Sequence, residues 1–187
     1  WLAPAYWALM ILGVRHLLAL DNGPRRLLRG LSATAAILVL AGVALSIPNP
    51  PVAGDLNSWS GWVEAGQQVA KAEAQAQAQG QKTFVFGPNY KIASLIRFHM
   101  PGQPRTWAQD VYGERALQYD YFPKDRDLRG ATGFLVLSNQ DQGDMDMTVL
   151  KRYFDSIELA DVVEVRALGK VTRRIEIYRC TGYKGHP

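Results

Sequence analysis

The sequence predicts an α/β fold in two parts: a two-helix transmembrane hairpin over residues 1–47, a linker over 48–60, and a mixed α/β sandwich domain over 61–187. Three observations lead there. The first 47 residues hold two nearly unbroken apolar runs joined by a turn. Pro48-Asn49-Pro50-Pro51 then ends any helix, because proline lacks an amide hydrogen and disfavours helix in the residue before it. Beyond it the pattern changes between 3.6-residue and two-residue periods, as helices and strands in one domain require.

The first run, WLAPAYWALMILGV, spans Trp1 to Val14 and continues as Leu17 to Leu20 past Arg15 and His16. Trp1, Tyr6 and Trp7 suit an aromatic interfacial belt at one end, and Arg15 can snorkel near the other. The second run, Leu31 to Ile47, has seventeen uncharged residues, close to what a hydrocarbon core of ~30 Å needs at ~1.5 Å per residue. Between them Asn22-Gly23-Pro24 is turn chemistry, followed by Arg25, Arg26 and Arg29. Two runs back to back before a polar domain favour a membrane hairpin over buried core helices, and no cleavage site marks a signal peptide. Short basic loops stay in the cytoplasm, so the tip is expected inside and everything after Pro48 outside, in an inner-membrane protein. The chain opens at Trp1 inside an apolar run, and further chain is expected upstream.

Ser60 is expected to cap a helix from Gly61 to about Gln79, with Trp62, Gly66, Val69 and Ala70 on one face. Its second half, AKAEAQAQAQGQ, reads as a solvated helix of good helix formers ended by Gly80. Thr83 to Phe86 is a short apolar strand, and Gly87-Pro88-Asn89 a turn. Tyr90 to His99 reads as a helix with Ile92, Leu95, Ile96 and Phe98 as its apolar set, closed by Pro101-Gly102. Thr106 to Gln109 is a possible short strand, and GFLVL from Gly133 to Leu137 a buried one. Asp144 or Asp146 can cap a helix through Leu150 and Phe154, and Val162–Leu168 with Arg173–Arg179 form a hairpin around Gly169-Lys170.

Charge and composition exclude several functions. Net charge is +4, but residues 1–47 hold four arginines against Asp21 alone, so the excess is not a basic face on the folded domain. No nucleic-acid partner is expected. One cysteine excludes an internal disulfide and paired-thiolate zinc, and His16, His99 and His186 have no ligand spacing. DQGDMD, with Asp141, Asp144 and Asp146, lacks the glycine and glutamate of a calcium loop, and helix capping explains it better. Asp125 and Asp127 alternate with Lys124, Arg126 and Arg129 as a solvated cluster rather than an acid–base pair. The turn at Gly87 lacks the glycines of a phosphate loop. His99 reads as a boundary histidine and Cys180 as a small core residue.

One stretch carries a resemblance. Tyr90, Ala93-Ser94, Phe98, Pro101-Gly102-Gln103-Pro104 and then Gln118-Tyr119-Asp120 resemble the extracytoplasmic C-terminal domain of bacterial glycosyltransferase family 39. Those membrane enzymes are similar to protein O-mannosyltransferases and the lipid A aminoarabinose transferase. The opening WLAPAYWALM also looks like that family's lead into a late membrane helix. The resemblance implies transfer of a sugar from a polyprenyl-phosphate donor to a lipid or protein acceptor outside the membrane. It also implies a catalytic aspartate in an early outer loop, with a divalent metal there in some members. Neither falls within this chain, so no catalytic residue and no cofactor is assigned to it, and the chain alone is expected to be inactive. Tyr90, Asp110, Gln118, Tyr119 and Asp120 are the candidate substrate-facing cluster, weighed against turn and packing roles. The reading from another class is a membrane-anchored, non-catalytic sensory or interaction domain.

Overall fold

The computed structural model describes residues 11–15, 24–45, 59–122, 127–139 and 145–185. Trp1, Tyr6, Trp7, His16, Asp125, Asp141, Asp144, His186 and the proline run at 48–51 lie outside them. The chain divides into two units, 1–47 and 48–187, taken here in turn.

In the first unit, residues 11–15 are helical and α1 runs Pro24–Leu45. Its apolar side chains stay exposed, Ile37, Leu38, Val39 and Leu40 each by about two thirds (64%, 66%, 65% and 67%). Thr34 Oγ1 donates to the Gly30 carbonyl at 2.9 Å, turning its hydroxyl back into the helix. Among the described residues no helix is long and apolar enough to cross a membrane. Arithmetic agrees: the uncharged part of α1, from Gly30 to Leu45, gives ~24 Å of rise against a core of ~30 Å. The expected two-helix span is therefore not a feature of the described structure.

The second unit is a five-stranded mixed sheet with helices on both faces, which agrees with the α/β class. Its elements are α2 (Trp62–Ala78), β1 (Thr83–Phe86), α3 (Tyr90–His99), β2 (Thr106–Trp107), β3 (Thr132–Ser138), α4 (Met147–Tyr153), β4 (Ser156–Ala167) and β5 (Lys170–Thr181). Two 3₁₀ turns, Gln109–Tyr112 and Leu117–Tyr121, lie between β2 and β3. The strand order is β2-β1-β3-β5-β4, with β1 parallel to β2 and β3, and β5 antiparallel to β3 and β4. Strand residues alternate between faces. Val85, Phe134, Val136, Ile175 and Ile177 meet α2 and α3 on one face, while Phe84, Phe86, Leu135, Leu137 and Cys180 meet α4 and the first 3₁₀ turn on the other. Gly133 belongs to the second face, where a Cβ would lie 2.9 Å from the rings of Phe84 and Phe86. Its missing side chain is what lets those rings stack.

Several expectations are corrected. Gly61, left-handed at φ 83°, occupies the cap of α2 with no side-chain bond, so Ser60 is not the capping residue. The helix α3 buries Ala93 with Ile92 and Ile96, whereas Phe98 is 68% exposed. The strand at Thr106 stops at Trp107, since Gln109 opens a 3₁₀ turn. Hairpin β4–β5 reaches six residues earlier than expected and turns through Leu168 and Gly169, both at positive φ, as a two-residue turn requires. Asp146 does cap α4, its Oδ1 accepting from the Thr148 amide at 2.8 Å, and these bonds to the carboxylate hold its pKa below the usual value.

Candidate functional site

The site grows from the connection between β1 and α3. Asn89 caps α3 by accepting from the Ile92 amide at 3.0 Å, which fixes where the helix starts and points Tyr90 outward. Gly87 is required there because a Cβ would sit 2.8 Å from the Ala93 nitrogen. The Tyr112 hydroxyl donates to the Pro88 carbonyl at 2.8 Å, tying the first 3₁₀ turn to the same connection. After α3, Gly102 and Gln103 both take positive φ, and the Gln103 amide donates to the Met100 carbonyl at 3.1 Å. That reverses the chain so that it returns along the helix to β2.

Residues 90–104 and 117–121 meet at α3. Ser94 Oγ and the Tyr119 hydroxyl are 3.0 Å apart, and Thr106 Oγ1 donates to the Ala93 carbonyl at 2.9 Å. Small residues allow this approach: Ala93, Ala108 and Ala116 enclose the buried Tyr119 ring, and Phe122 meets that ring edge-on at 5.2 Å.

On the outer side of α3 this packing leaves an open, mostly apolar groove of about 390 Å³. Trp59, Tyr90 and Phe98 supply exposed aromatic surface, at 77%, 41% and 68%, with Leu95 between them. Lys91, Ser94 and Gln118 are its polar groups. Flat aromatic faces beside a few hydrogen-bonding groups suit a ligand with both C–H faces and hydroxyls.

Of the five candidate residues, Tyr90 and Gln118 line the groove. Tyr119 lies behind its wall, reaching it only through Ser94. Asp120 holds the second 3₁₀ turn, its two carboxylate oxygens accepting from the Ala116 amide at 3.0 and 3.1 Å. Asp110 accepts from the Ala108 amide at 3.0 Å and stands near Tyr183 on the other face of the sheet, where burial, then Asp110, then Tyr153 push the Tyr183 hydroxyl up to about 12. The structure therefore brings two of the five to one surface and leaves both aspartates in turns. Trp59 and Lys91 went unnoticed in the sequence. Neither carried a local signal, since only the fold brings residue 59 beside α3 and a lysine on a helix is ordinarily solvated.

Among the described residues no three His, Cys, Asp or Glu side chains gather as a metal-binding group. Cys180 is a free, fully buried core thiol whose pKa burial pushes up to about 12. His99 is half-buried with its ring edge-on to Phe98 at 5.1 Å. No family model, curated protein or solved structure matches the chain.

Proposed function

We propose that this chain is the C-terminal part of a membrane glycosyltransferase of the family-39 kind, one that moves a sugar from a polyprenyl-phosphate donor to a lipid or protein acceptor. The α/β domain, in this reading, stands on the extracytoplasmic side and holds the glycan portion of donor or acceptor in the groove beside α3. The observation that carries the proposal is the convergence at that groove. Tyr90, Ser94, Phe98 and Gln118 come from segments separated in sequence and share one surface. They are also among the residues that carry the resemblance to that family. Sugar rings present C–H faces that pack on aromatic rings, and hydroxyls that Ser94, Gln118 and Lys91 can bond.

The membrane part of the proposal rests on the exposed apolar side chains of α1, since exposed apolar surface of this extent calls for an apolar partner. A hairpin crosses the bilayer in this reading only if the arginines ahead of Gly30 extend to the interface and lengthen the span. Catalytic aspartate and any divalent metal belong to the upstream part of such an enzyme, and this chain contributes ligand positioning.

A membrane-anchored sensory or interaction domain is the second reading. It is favoured by the groove's lining, which contains no carboxylate to serve as acid or base. Upstream sequence separates the two, since a transferase needs many more membrane spans and an acidic residue in its first outer loop.

Given a polyprenyl-phosphate sugar, a divalent metal and an acceptor, the 187-residue chain is expected to transfer nothing. Placing reacting groups can lower a barrier by roughly 7–11 kcal/mol, so an enzyme without its catalytic loop stops rather than slows. In the full-length protein, Trp59→Ala with Phe98→Ala is expected to lower kcat/KM about tenfold with an unchanged melting temperature. Turnover by the chain alone near the full-length rate, or full activity of the double variant, would overturn the proposal.

A further inference from the structure

Five glutamines of α2 and the turn after it have no part in the aromatic groove, and they divide into two sets. Gln77 and Gln81 are spent on the sheet: Gln77 Nε2 donates to Thr83 Oγ1 at 2.8 Å, while Gln81 Oε1 accepts from Thr132 Oγ1 and Arg179 Nη2 at 3.1 and 2.9 Å. Gln68, Gln75 and Gln79 follow helical spacing instead and, with Lys71, form one wall of a second groove of about 240 Å³. Asp161 and Arg179, from β4 and β5, form the opposite wall, and the buried Phe134 ring closes the floor.

The groove's chemistry is unlike that beside α3. Neither Lys71 nor Arg179 makes an ion pair among the described residues. A guanidinium has five N–H donors, and only Nη2 of Arg179 meets a protein acceptor, its Nε being buried without one. Asp161 commits Oδ1 to the Val162 amide at 2.8 Å, which leaves Oδ2 as an acceptor. The β4 ladder also slips between Leu159 and Asp161, a bulge that places Ala160 and Asp161 in the groove wall instead of continuing a flat edge.

We infer that this second groove binds a phosphorylated, hydroxyl-rich small molecule, a sugar phosphate by chemical class. Two cations on opposite walls suit a tetrahedral group with three acceptor oxygens: Lys71 meets it as a point charge, Arg179 through the Nη donors that Gln81 leaves free. A carboxylate offers two oxygens in one plane, which the Arg179 fork alone would satisfy, leaving Lys71 without a role. The three glutamine amides and Asp161 Oδ2 then bond hydroxyls. The volume accommodates a single sugar ring. This inference stands apart from the proposal for the aromatic groove, with which it shares no residue.

The test is calorimetric titration of the 187-residue chain in detergent micelles with glucose 6-phosphate, glucose, inorganic phosphate and glucuronate. Glucose 6-phosphate is expected to bind on the order of ten times more tightly than any of the other three. Lys71→Gln, a change on an exposed helix position, and Arg179→Lys, which keeps the charge but loses the fork, are each expected to weaken it about tenfold. Lys170→Gln, at an exposed position outside both grooves, is expected to leave it unchanged. Absence of binding up to about 10 mM, or binding indifferent to Lys71→Gln, would overturn the inference. So would equal affinity for inorganic phosphate or for glucuronate, the first removing the sugar and the second the phosphate from the recognition.

Discussion

The two faces of the sheet are made by alternate residues of the same strands, yet they are packed by different rules. On the α2–α3 face the strands contribute Val85, Val136, Ile175 and Ile177 with a single ring, Phe134, and the helices lie close over them. On the other face rings dominate: Phe84 and Phe86 stack at 5.5 Å, Phe86 and Phe154 at 5.6 Å, and Tyr183 meets Phe84 edge-on at 5.4 Å. Mostly aliphatic side chains let the helices approach, with one groove on the outer side of α3 and another between α2 and the strands β3–β5. The aromatic face fills its space with rings, and its polar atoms turn inward, as where Tyr183 donates to the Val111 carbonyl. Binding chemistry gathers outside one layer while titrating groups are locked inside the other.

The largest effect expected from breaking this contrast is at Gly66, where α2 passes α3. A Cβ there would lie 2.5 Å from the His99 carbonyl oxygen, a backbone atom that cannot swing aside. Gly66→Ala is expected to destabilise the domain by about 3 kcal/mol, despite alanine's better helix propensity, because the helices must separate. Denaturant unfolding measures it. A cost under about 1 kcal/mol would mean that the helix layer is not held at this close contact.

How much of this the sequence revealed follows from how local each cause is. The bounds of β1 and α3 were legible to the residue because Gly87, Asn89 and the apolar run between turns act within a few positions. The first half of β4 was not. Ser156 to Asp161 form an exposed edge strand with a bulge, which destroys the two-residue alternation that identifies strands. Ser60 was a reasonable cap by residue type, but only the left-handed backbone at Gly61 shows where the helix begins. For the groove beside α3, Tyr90 and Gln118 were legible and Trp59 was not, since the fold alone brings residue 59 to α3. Lys71 and Arg179 face one groove across more than a hundred residues of sequence, and no spacing rule reaches that far.

A middle-sized effect sharpens the contrast from the aromatic side. Burial pushes Cys180 from 9.0 to about 12, and Tyr183 from 10.0 to about 12, the latter also repelled by Asp110 and Tyr153. Tyr178 rises to about 12 as well, through burial and then Glu176. In the unfolded chain these groups ionise near their ordinary values, so between about pH 9 and pH 12 the unfolded state holds fewer protons than the folded one. Stability therefore falls as pH rises through that window. The melting temperature is expected to drop steadily from about pH 9, and Cys180→Ala to flatten the first part of the drop. An alkaline limb unchanged in Cys180→Ala would mean that the thiol ionises in place and this face is more open to water.

The smallest expected effect is at Phe98, on the outer surface of α3. Its ring is 68% exposed and touches the half-buried His99 edge-on, so truncation removes little buried area and leaves no cavity. Surface substitutions without a core, cap or buried-polar role usually stay within about 0.5 kcal/mol. Phe98→Ala is thus expected to unfold at the same denaturant concentration as the parent, even though phenylalanine is large and apolar and the helical pattern counted it as core. Ile96→Ala, two positions away and fully buried against the sheet, supplies the contrast at about 3 kcal/mol. Equal losses at the two positions would place Phe98 inside a packed interface rather than on an open groove. Stability held at Phe98 and lost at Ile96 would mean that an aromatic ring is kept in water for something other than folding, which is the condition the groove needs to be a binding surface.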